Sequence, residues 1–248
     1  MTVEHAAPPR VSVVIPYFEN QRGLDRLLAA LARQDMTARE FEVVIADDGS
    51  ATPPVLPATP FTCSVVRQEN LGFRAGAARN LGARASSGTV LVFLDGDMIP
   101  EPGFLTALLA GRDAADDGHG ALAVGARHHA ELSELDVPDV LRWVAGEDVP
   151  GARRLEDPAW LAEGYARTAN LREAGVEDFR LVIVRCWPWT GSSSSAAAVS
   201  TNPSWATAAR TGTSPTGAGS SGRTSPTCPG PGRGTTVRTS VDGRTPAP

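Results

Sequence analysis

Residues 90–97 read VLVFLDGD, an apolar run that ends in two carboxylates one residue apart, Asp95 and Asp97. The apolar, partly β-branched run predicts a buried strand. Ligands of open α/β sheets bind outside the carboxyl ends of the strands, and Mg²⁺ and Mn²⁺ prefer oxygen ligands. A simple strand-end turn is the alternative explanation for an Asp-Gly step. We interpret the stretch as a strand of an α/β sheet that carries a cation and phosphate site at its end.

The chain before this strand alternates between strand and helix patterns. Strands are predicted at 11–15, 41–46, 63–66 and 90–94, and helices at 23–34, 76–85 and 102–109. Such alternation predicts the α/β class, with a single, mostly parallel, Rossmann-like sheet flanked by helices. Pro16 is expected to stop the first strand. Residues 113–183 are predicted to be helical and acidic, with Trp143 and Trp160 as apolar anchors, and residues 1–10 to be a flexible N-terminus.

Other polar residues are predicted to join the acidic pair. Asp47 and Asp48 follow the second strand, where they could form a turn and helix cap or accept hydrogen bonds from a ribose or base. The segment 70–80, NLGFRAGAARN, combines glycines with two arginines at a predicted helix start, so it could neutralise a diphosphate or be a solvated helix. His128 and His129 could line a pocket, although such histidines are more often structural.

Composition restricts the classes of function. The net charge of -5 argues against a nucleic-acid partner, because such proteins carry a dominant basic face. No stretch reaches the roughly 18 apolar residues that a membrane span needs, so no transmembrane segment is expected. The three cysteines form no metal or disulfide pattern. We expect a cytoplasmic or membrane-peripheral protein.

Four motifs, taken in order, resemble the family 2 glycosyltransferases of GT-A fold: IPYFEN at 15–20, ADDGS at 46–50, NLGFRAGAARN at 70–80 and FLDGD at 93–97. The resemblance implies a nucleotide-sugar donor, usually a UDP-sugar, a Mn²⁺ or Mg²⁺ ion on the D-x-D motif, and inverting transfer to a hydroxyl of a glycan, lipid or small-molecule acceptor. Residues 11–112 would form the donor-binding half, and residues 113–183 an incomplete acceptor-side region. By the same resemblance, the metal would be bound by Asp97 and Asp95. The donor-binding residues carried over by position would be Pro16, Asp47, Asp48, Arg74, Arg79 and Asp95.

The chain departs from this family pattern after about residue 183. The family has a G-G-F-D segment, an E-D pair whose acid serves as catalytic base, and a later histidine, none of which stands in place here. Residues 187–248 contain no Leu, Ile, Phe or Glu, and Asp242 is their only acid. Such a composition predicts a disordered tail over 184–248, because it cannot form a packed core.

A shift of reading frame would explain this tail. Residues 205–213, back-translated and read from the third base of the Trp205 codon, permit G-Y-G-G-E-D-W-D. In the same frame, 197–203 permit G-G-F-D-E-S and 233–239 permit W-H-D-G-P-D. We therefore expect a frameshift between about residues 181 and 187, loss of the part that holds the catalytic base, and an inactive chain as written.

Three alternatives remain open. A non-catalytic nucleotide-sugar-binding module with a genuine linker tail would bind donor without turnover. A nucleotidyltransferase would have a glycine-rich loop after the first strand, where this chain has PYFEN at 16–20. A dinucleotide-binding domain would have G-x-G-x-x-G at that position, which is also lacking.

Overall fold

The structure is a computed structural model that describes residues 7–115, 122–170, 173, 197–200 and 236–240. It contains strands and helices in alternation along the first half of the chain. In chain order they are β1 (Val11–Tyr17), α1 (Gln21–Leu31), β2 (Phe41–Asp47), β3 (Thr62–Arg67), α2 (Ala75–Ala85), β4 (Val90–Phe93), β5 (Met98–Pro100), α3 (Phe104–Ala115), β6 (Leu122–Val124), β7 (Ala126–Glu131), α4 (Val137–Val144), β8 (Arg153–Arg154), α5 (Ala159–Arg167), β9 (Ala197–Ser200) and β10 (Thr236–Ser240).

The main sheet has the order β3-β2-β1-β4-β9-β6. Strands β3, β2, β1 and β4 are parallel to one another, whereas β9 pairs antiparallel with both β4 and β6. The predicted α/β class and parallel sheet are therefore confirmed. Because parallel strands point the same way, the ends of β1, β2, β3 and β4 lie together, and we call this side of the sheet the carboxyl edge.

Helices cover both faces of the parallel strands. In β1, Val11, Val13 and Ile15 point to one face, where they pack in the main core with apolar residues of α1 and α3. Val14 points to the other face and packs with Ala83 of α2. Strand residues alternate between faces, so this single strand supports both helix layers. No helix in the described part of the chain is long and apolar enough to cross a membrane.

The first strand continues through Pro16 to Tyr17, so the prediction that Pro16 stops it is wrong. The pairing with β4 ends at Val14↔Phe93, whereas the pairing with β2 runs on to Tyr17↔Asp47. At Pro16 the strand therefore has a paired neighbour on one side only. Proline lacks an N–H donor and is tolerated where one side of a strand is unpaired.

Residues 113–183 are not simply helical, which corrects the prediction for this region. Their described part holds the strands β6, β7 and β8 as well as α4 and α5. Strands β5, β10, β7 and β8 form a second sheet in that order. Trp143 packs against a second core of α1, β5, β7 and α4 residues, as an anchor would, but Trp160 is 46% exposed.

Two strands lie in the range 184–248, for which composition predicts a disordered tail. Strand β9 pairs with β4, and β10 pairs with β5 and β7. Both segments are short and consist largely of small or β-branched residues, which suit the open edges that β4 and β7 present. In the other residues of 184–248, which lie outside the described ranges, the disordered tail stays a prediction.

Replacing Gly82 with alanine is expected to destabilise the fold. An added Cβ would lie 2.4 Å from Val14 Cγ1 and 3.4 Å from Ala46 Cβ, because α2 packs closely on β1 and β2 at this point. Overpacking of this kind lowers the free energy of unfolding by about 1–3 kcal/mol. This loss outweighs the gain in helix propensity when alanine replaces glycine. Urea unfolding would measure the change.

The matched control is Gly76→Ala in the same helix, where an added Cβ meets nothing within 4 Å. This variant is expected to be as stable as the parent chain or more stable by up to about 1 kcal/mol. Equal unfolding midpoints for the two variants would show that α2 does not pack on the sheet as described.

Candidate functional site

Acidic side chains gather at the carboxyl edge of the sheet. Asp47 is the last residue of β2 and is followed by Asp48, while Asp95 and Asp97 come shortly after β4. Asp47, Asp48 and Asp95 are buried at 0%, 4% and 6% exposure. Buried carboxylates are stable only when they are paired, hydrogen-bonded or ready to bind a cation. The partners of each one therefore indicate what it does.

Asp47 shapes the turn that follows β2. Its Oδ1 accepts hydrogen bonds from the backbone N–H of Ser50, at 2.9 Å, and from the Ser50 hydroxyl, at 2.7 Å. Its Oδ2 lies 3.5 Å from Nε of Arg67. Gly49 has φ +82, and a Cβ there would lie 2.4 Å from the backbone nitrogen of Asn70. The ADDGS motif thus forms a tight turn that needs glycine, and a nucleoside contact by Asp47 stays a prediction.

Asp48 connects this turn to the loop before α2. Its Oδ1 accepts a hydrogen bond from Nε2 of Gln68 at 2.6 Å, and its Oδ2 accepts one from the backbone N–H of Arg74 at 2.7 Å. The Arg74 guanidinium donates to the Glu69 carbonyl. Both predicted donor-site residues therefore lie at the carboxyl edge, where they hold the segment 68–74 against the sheet.

The two carboxylate oxygens of Asp95 have different surroundings in the described part of the chain. Its Oδ1 forms an ion pair with Nη2 of Arg79, which α2 places beside the end of β4. Its Oδ2 is buried and has no hydrogen-bond donor among the described residues. A buried carboxylate oxygen in this state carries an unmet desolvation cost. The oxygen is suited to accept a cation or a ligand hydroxyl.

Asp97 completes the acidic pair through a tight turn. The backbone N–H of Met98 donates to the Asp95 carbonyl at 3.0 Å, which closes the turn around Gly96. Asp97 is half-buried, and its Oδ1 lies beneath the surface. In the described part of the chain, no cluster of three or more His, Cys, Asp or Glu side chains could hold a metal. Two carboxylates suit a Mg²⁺ or Mn²⁺ ion that takes its other ligands from phosphate and water.

Arg127, on β7, is a buried cation near this pair that sequence reasoning missed. It is 2% exposed and is the largest fully buried side chain of the described chain. Burial lowers the pKa of its guanidinium, and the negative charges of Asp95, Asp97 and Asp157 act in the opposite direction. Nothing in the run ARHHAE at 126–131 marks Arg127 as the buried position. Only the tertiary structure identifies Arg127 as buried, and no feature of the sequence does so.

The two histidines share one carboxylate. His128 Nδ1 lies 3.0 Å from Asp157 Oδ2, and His129 Nδ1 lies 3.5 Å from Asp157 Oδ1. Burial raises the pKa of Asp157, but hydrogen bonds from both histidines and the His128 charge bring it below its ordinary value. Burial lowers the pKa of His129. Asp157 thus ties the loop before α5 to β7, and a pocket role for the histidines stays a prediction.

Comparison with protein families and known proteins gives a consistent result. The family model described as Glycosyl transferase family 2 matches residues 12–161. Validoxylamine A glucosyltransferase of Streptomyces hygroscopicus subsp. limoneus is 40% identical over 114 residues, which cover 41% of this chain and 23% of the relative. Chondroitin synthase of Pasteurella multocida (strain Pm70) is 29% identical over 181 residues, which cover 65% and 18%. The chain spans less than a quarter of the length of these curated relatives.

Two solved structures show partial likeness to the chain. The crystal structure of S. aureus TarS has a TM-score of 0.39 at 25% identity, over 46% of this chain and 20% of that one. The mannosyltransferase PcManGT from Pyrobaculum calidifontis, in complex with GDP-Man and Mn²⁺, has a TM-score of 0.35 at 24% identity, over 46% and 34%.

Proposed function

Because this chain belongs to glycosyl transferase family 2, we propose that its carboxyl edge binds a nucleotide-sugar donor, a UDP-sugar, for transfer of the sugar to an acceptor hydroxyl. One observation carries the proposal. The Asp95–Gly96–Asp97 turn presents two carboxylates at the edge, and Oδ2 of Asp95 is buried without a hydrogen-bond donor among the described residues. The relative that is named a glucosyltransferase supports sugar transfer.

Asp95 and Asp97 fit a divalent cation by their chemistry. Both provide hard oxygen ligands, and Arg79 forms an ion pair with Asp95. When bound there, Mn²⁺ or Mg²⁺ would stabilise the negative charge of the departing nucleoside diphosphate. Arg79 holds Asp95 in place through its ion pair, so the carboxylate does not have to be ordered when the donor arrives.

The nucleoside would bind near the Asp47–Ser50 turn, at the end of β2. Phe18 directly follows β1 and is 48% exposed. The backbone N–H of the next residue, Glu19, donates to the Ser50 hydroxyl at 3.0 Å, so Phe18 lies beside the turn. An exposed aromatic ring offers a stacking surface for a planar base. Pro16, Asp47 and Asp48 would border this base and its ribose.

The catalytic base is the missing part of this assignment. Inverting transfer needs a base that removes the proton from the acceptor hydroxyl as the new bond forms. In the family that the chain resembles, that base belongs to an E-D motif, which is absent from 187–248 and which back-translation of 205–213 permits only in another reading frame. We therefore propose that the chain as written binds donor and is inactive in transfer.

Selective stabilisation by ligands tests the proposed site. With Mn²⁺ present, UDP and UDP-sugars are expected to raise the melting temperature of the chain. A ligand at one hundred times its Kd stabilises the folded state by about 2.7 kcal/mol. NAD serves as the matched control, since it also carries a diphosphate. Stabilisation by NAD and not by UDP would favour a dinucleotide site and contradict the proposal.

A further inference from the structure

Glu19, which lies between β1 and α1, has an uncommon backbone conformation. Its φ is +50, in the left-handed region that residues with a side chain rarely adopt. Among the described residues, two other non-glycine residues have positive φ, Ala169 and Asn170. Both lie just after α5, where left-handed residues commonly end a helix, whereas Glu19 lies just before a helix. Strained residues persist only where their surroundings hold them, and they cluster at ligand sites.

Two hydrogen bonds to the segment after β2 hold Glu19 in this conformation. Its backbone N–H donates to the Ser50 hydroxyl at 3.0 Å, and its Oε1 accepts a hydrogen bond from the backbone N–H of Ala51 at 2.6 Å. Ser50 is fixed in turn, because its hydroxyl and its backbone N–H both donate to Asp47 Oδ1. A carboxylate acceptor makes a hydrogen bond about twice as strong as a neutral one. The Glu19 side chain therefore supports its own strained backbone.

These contacts continue the pairing of β1 with β2 beyond the ends of both strands. The pairing ends at Tyr17↔Asp47, and the backbone N–H of Asp48 then donates to the Tyr17 carbonyl at 2.9 Å. Phe18 lies between this hydrogen bond and the two that Glu19 makes, so its backbone is anchored on both sides. Its ring is 48% exposed. A ring held in this way can meet a planar base without first being ordered, which avoids an entropy cost on binding.

We propose that Glu19 is a positioning residue that holds Phe18 against the Asp47–Ser50 turn, so that the stacking surface for the nucleotide base is formed before the nucleotide binds. This role rests on the proposed donor site. When only a fraction of the molecules has the binding-competent arrangement, the apparent Kd rises by the inverse of that fraction. If loss of the Glu19 carboxylate lowers that fraction to about one tenth, UDP binding weakens about tenfold.

The experiment is calorimetric titration of the full chain with UDP at saturating Mn²⁺, in a double-mutant cycle of Glu19→Ala and Phe18→Ala. Each single variant is expected to bind UDP about tenfold more weakly than the parent chain. Because Glu19 acts through Phe18, the double variant is expected to bind UDP about as weakly as Phe18→Ala alone. If Glu19 only stabilised the fold, the two losses would be independent and would multiply to about a hundredfold.

Matched variants separate the carboxylate contact from other effects of the change. Glu19→Gln keeps an oxygen that can accept the Ala51 N–H, and it is expected to bind UDP within about threefold of the parent chain. Glu163→Ala, which replaces an exposed glutamate on α5, is expected to leave UDP binding unchanged. Glu19→Gly covers the case in which Glu19→Ala does not fold, because glycine adopts a positive φ without strain, and it is expected to show the same tenfold loss, about that of Glu19→Ala.

The parent chain and the variants together distinguish two kinds of failure. If the parent chain binds UDP, and folded Glu19→Ala or Glu19→Gly binds it equally well, Glu19 does not position Phe18. A multiplied loss of about a hundredfold in the double variant would overturn the inference in the same way and leave the donor site standing. If the parent chain binds no UDP at saturating Mn²⁺, the proposed donor site itself is wrong, and the role of Glu19 falls with it.

Discussion

Replacing Asp97 with alanine is expected to weaken Mn²⁺-dependent UDP binding by at least about a hundredfold. Loss of a residue that only orients a metal ligand already costs 10–100-fold in metal affinity, so loss of a carboxylate ligand should cost at least as much. The described residues offer no cluster of three or more metal-ligating side chains to replace it. Calorimetric titration of UDP at saturating Mn²⁺ measures the effect.

Asp148→Ala is the matched control for this variant, because Asp148 is an exposed aspartate outside the site. It is expected to bind UDP as the parent chain does. If Asp97→Ala kept the same Mn²⁺ dependence as the control, the cation would not sit on the acidic pair.

Restoring the reading frame is expected to raise sugar transfer by about 10²–10⁴-fold, the usual contribution of a general base. The first step is to sequence the coding DNA across codons 175–245. A correction of one or two bases near codon 184 should recover G-G-F-D-E-S, G-Y-G-G-E-D-W-D and W-H-D-G-P-D in that order. Transfer by the corrected chain is then compared with transfer by the present chain, by measuring the nucleoside diphosphate released in the presence of acceptor.

The corrected chain carrying Asp97→Ala is the control, and it should lose the gained activity. Two results would contradict the frameshift. Genomic DNA could encode residues 184–248 as they stand, or the corrected chain could bind donor without transferring it. Either result would favour a non-catalytic nucleotide-sugar-binding module.

The parallel sheet could be predicted because its strands carry strong local signals. Strands such as β1 and β2 are buried on both faces and therefore read as continuous apolar runs, and α1 repeats leucine at helical spacing. The later strands could not be found in this way. Strands β6 and β8 are only three and two residues long, and β7 includes Arg127, His128 and His129. Their pairing depends on tertiary contacts.

The sequence predicted where the carboxylates of the site lie, but it did not show which groups they interact with. The acidic ends of β2 and β4 indicated that Asp47, Asp48, Asp95 and Asp97 would meet at one edge, since parallel strands end together. Which group satisfies each carboxylate depends on distant segments. Arg79 forms its ion pair with Asp95 from α2, and the charges of Asp95 and Asp97 act on the pKa of Arg127, which lies on β7 about thirty residues further along the chain than Asp97. No spacing rule in the sequence reports such contacts.

A crystal of the chain grown with UDP and Mn²⁺, with anomalous diffraction used to locate the metal, would show whether Asp95 and Asp97 hold the cation. We predict one strong peak within coordination distance of the Asp97 carboxylate and the UDP diphosphate, with the base beside Phe18. A metal peak away from Asp95 and Asp97, or UDP bound away from the carboxyl edge, would show that the acidic pair is not the cation site of a donor-binding edge.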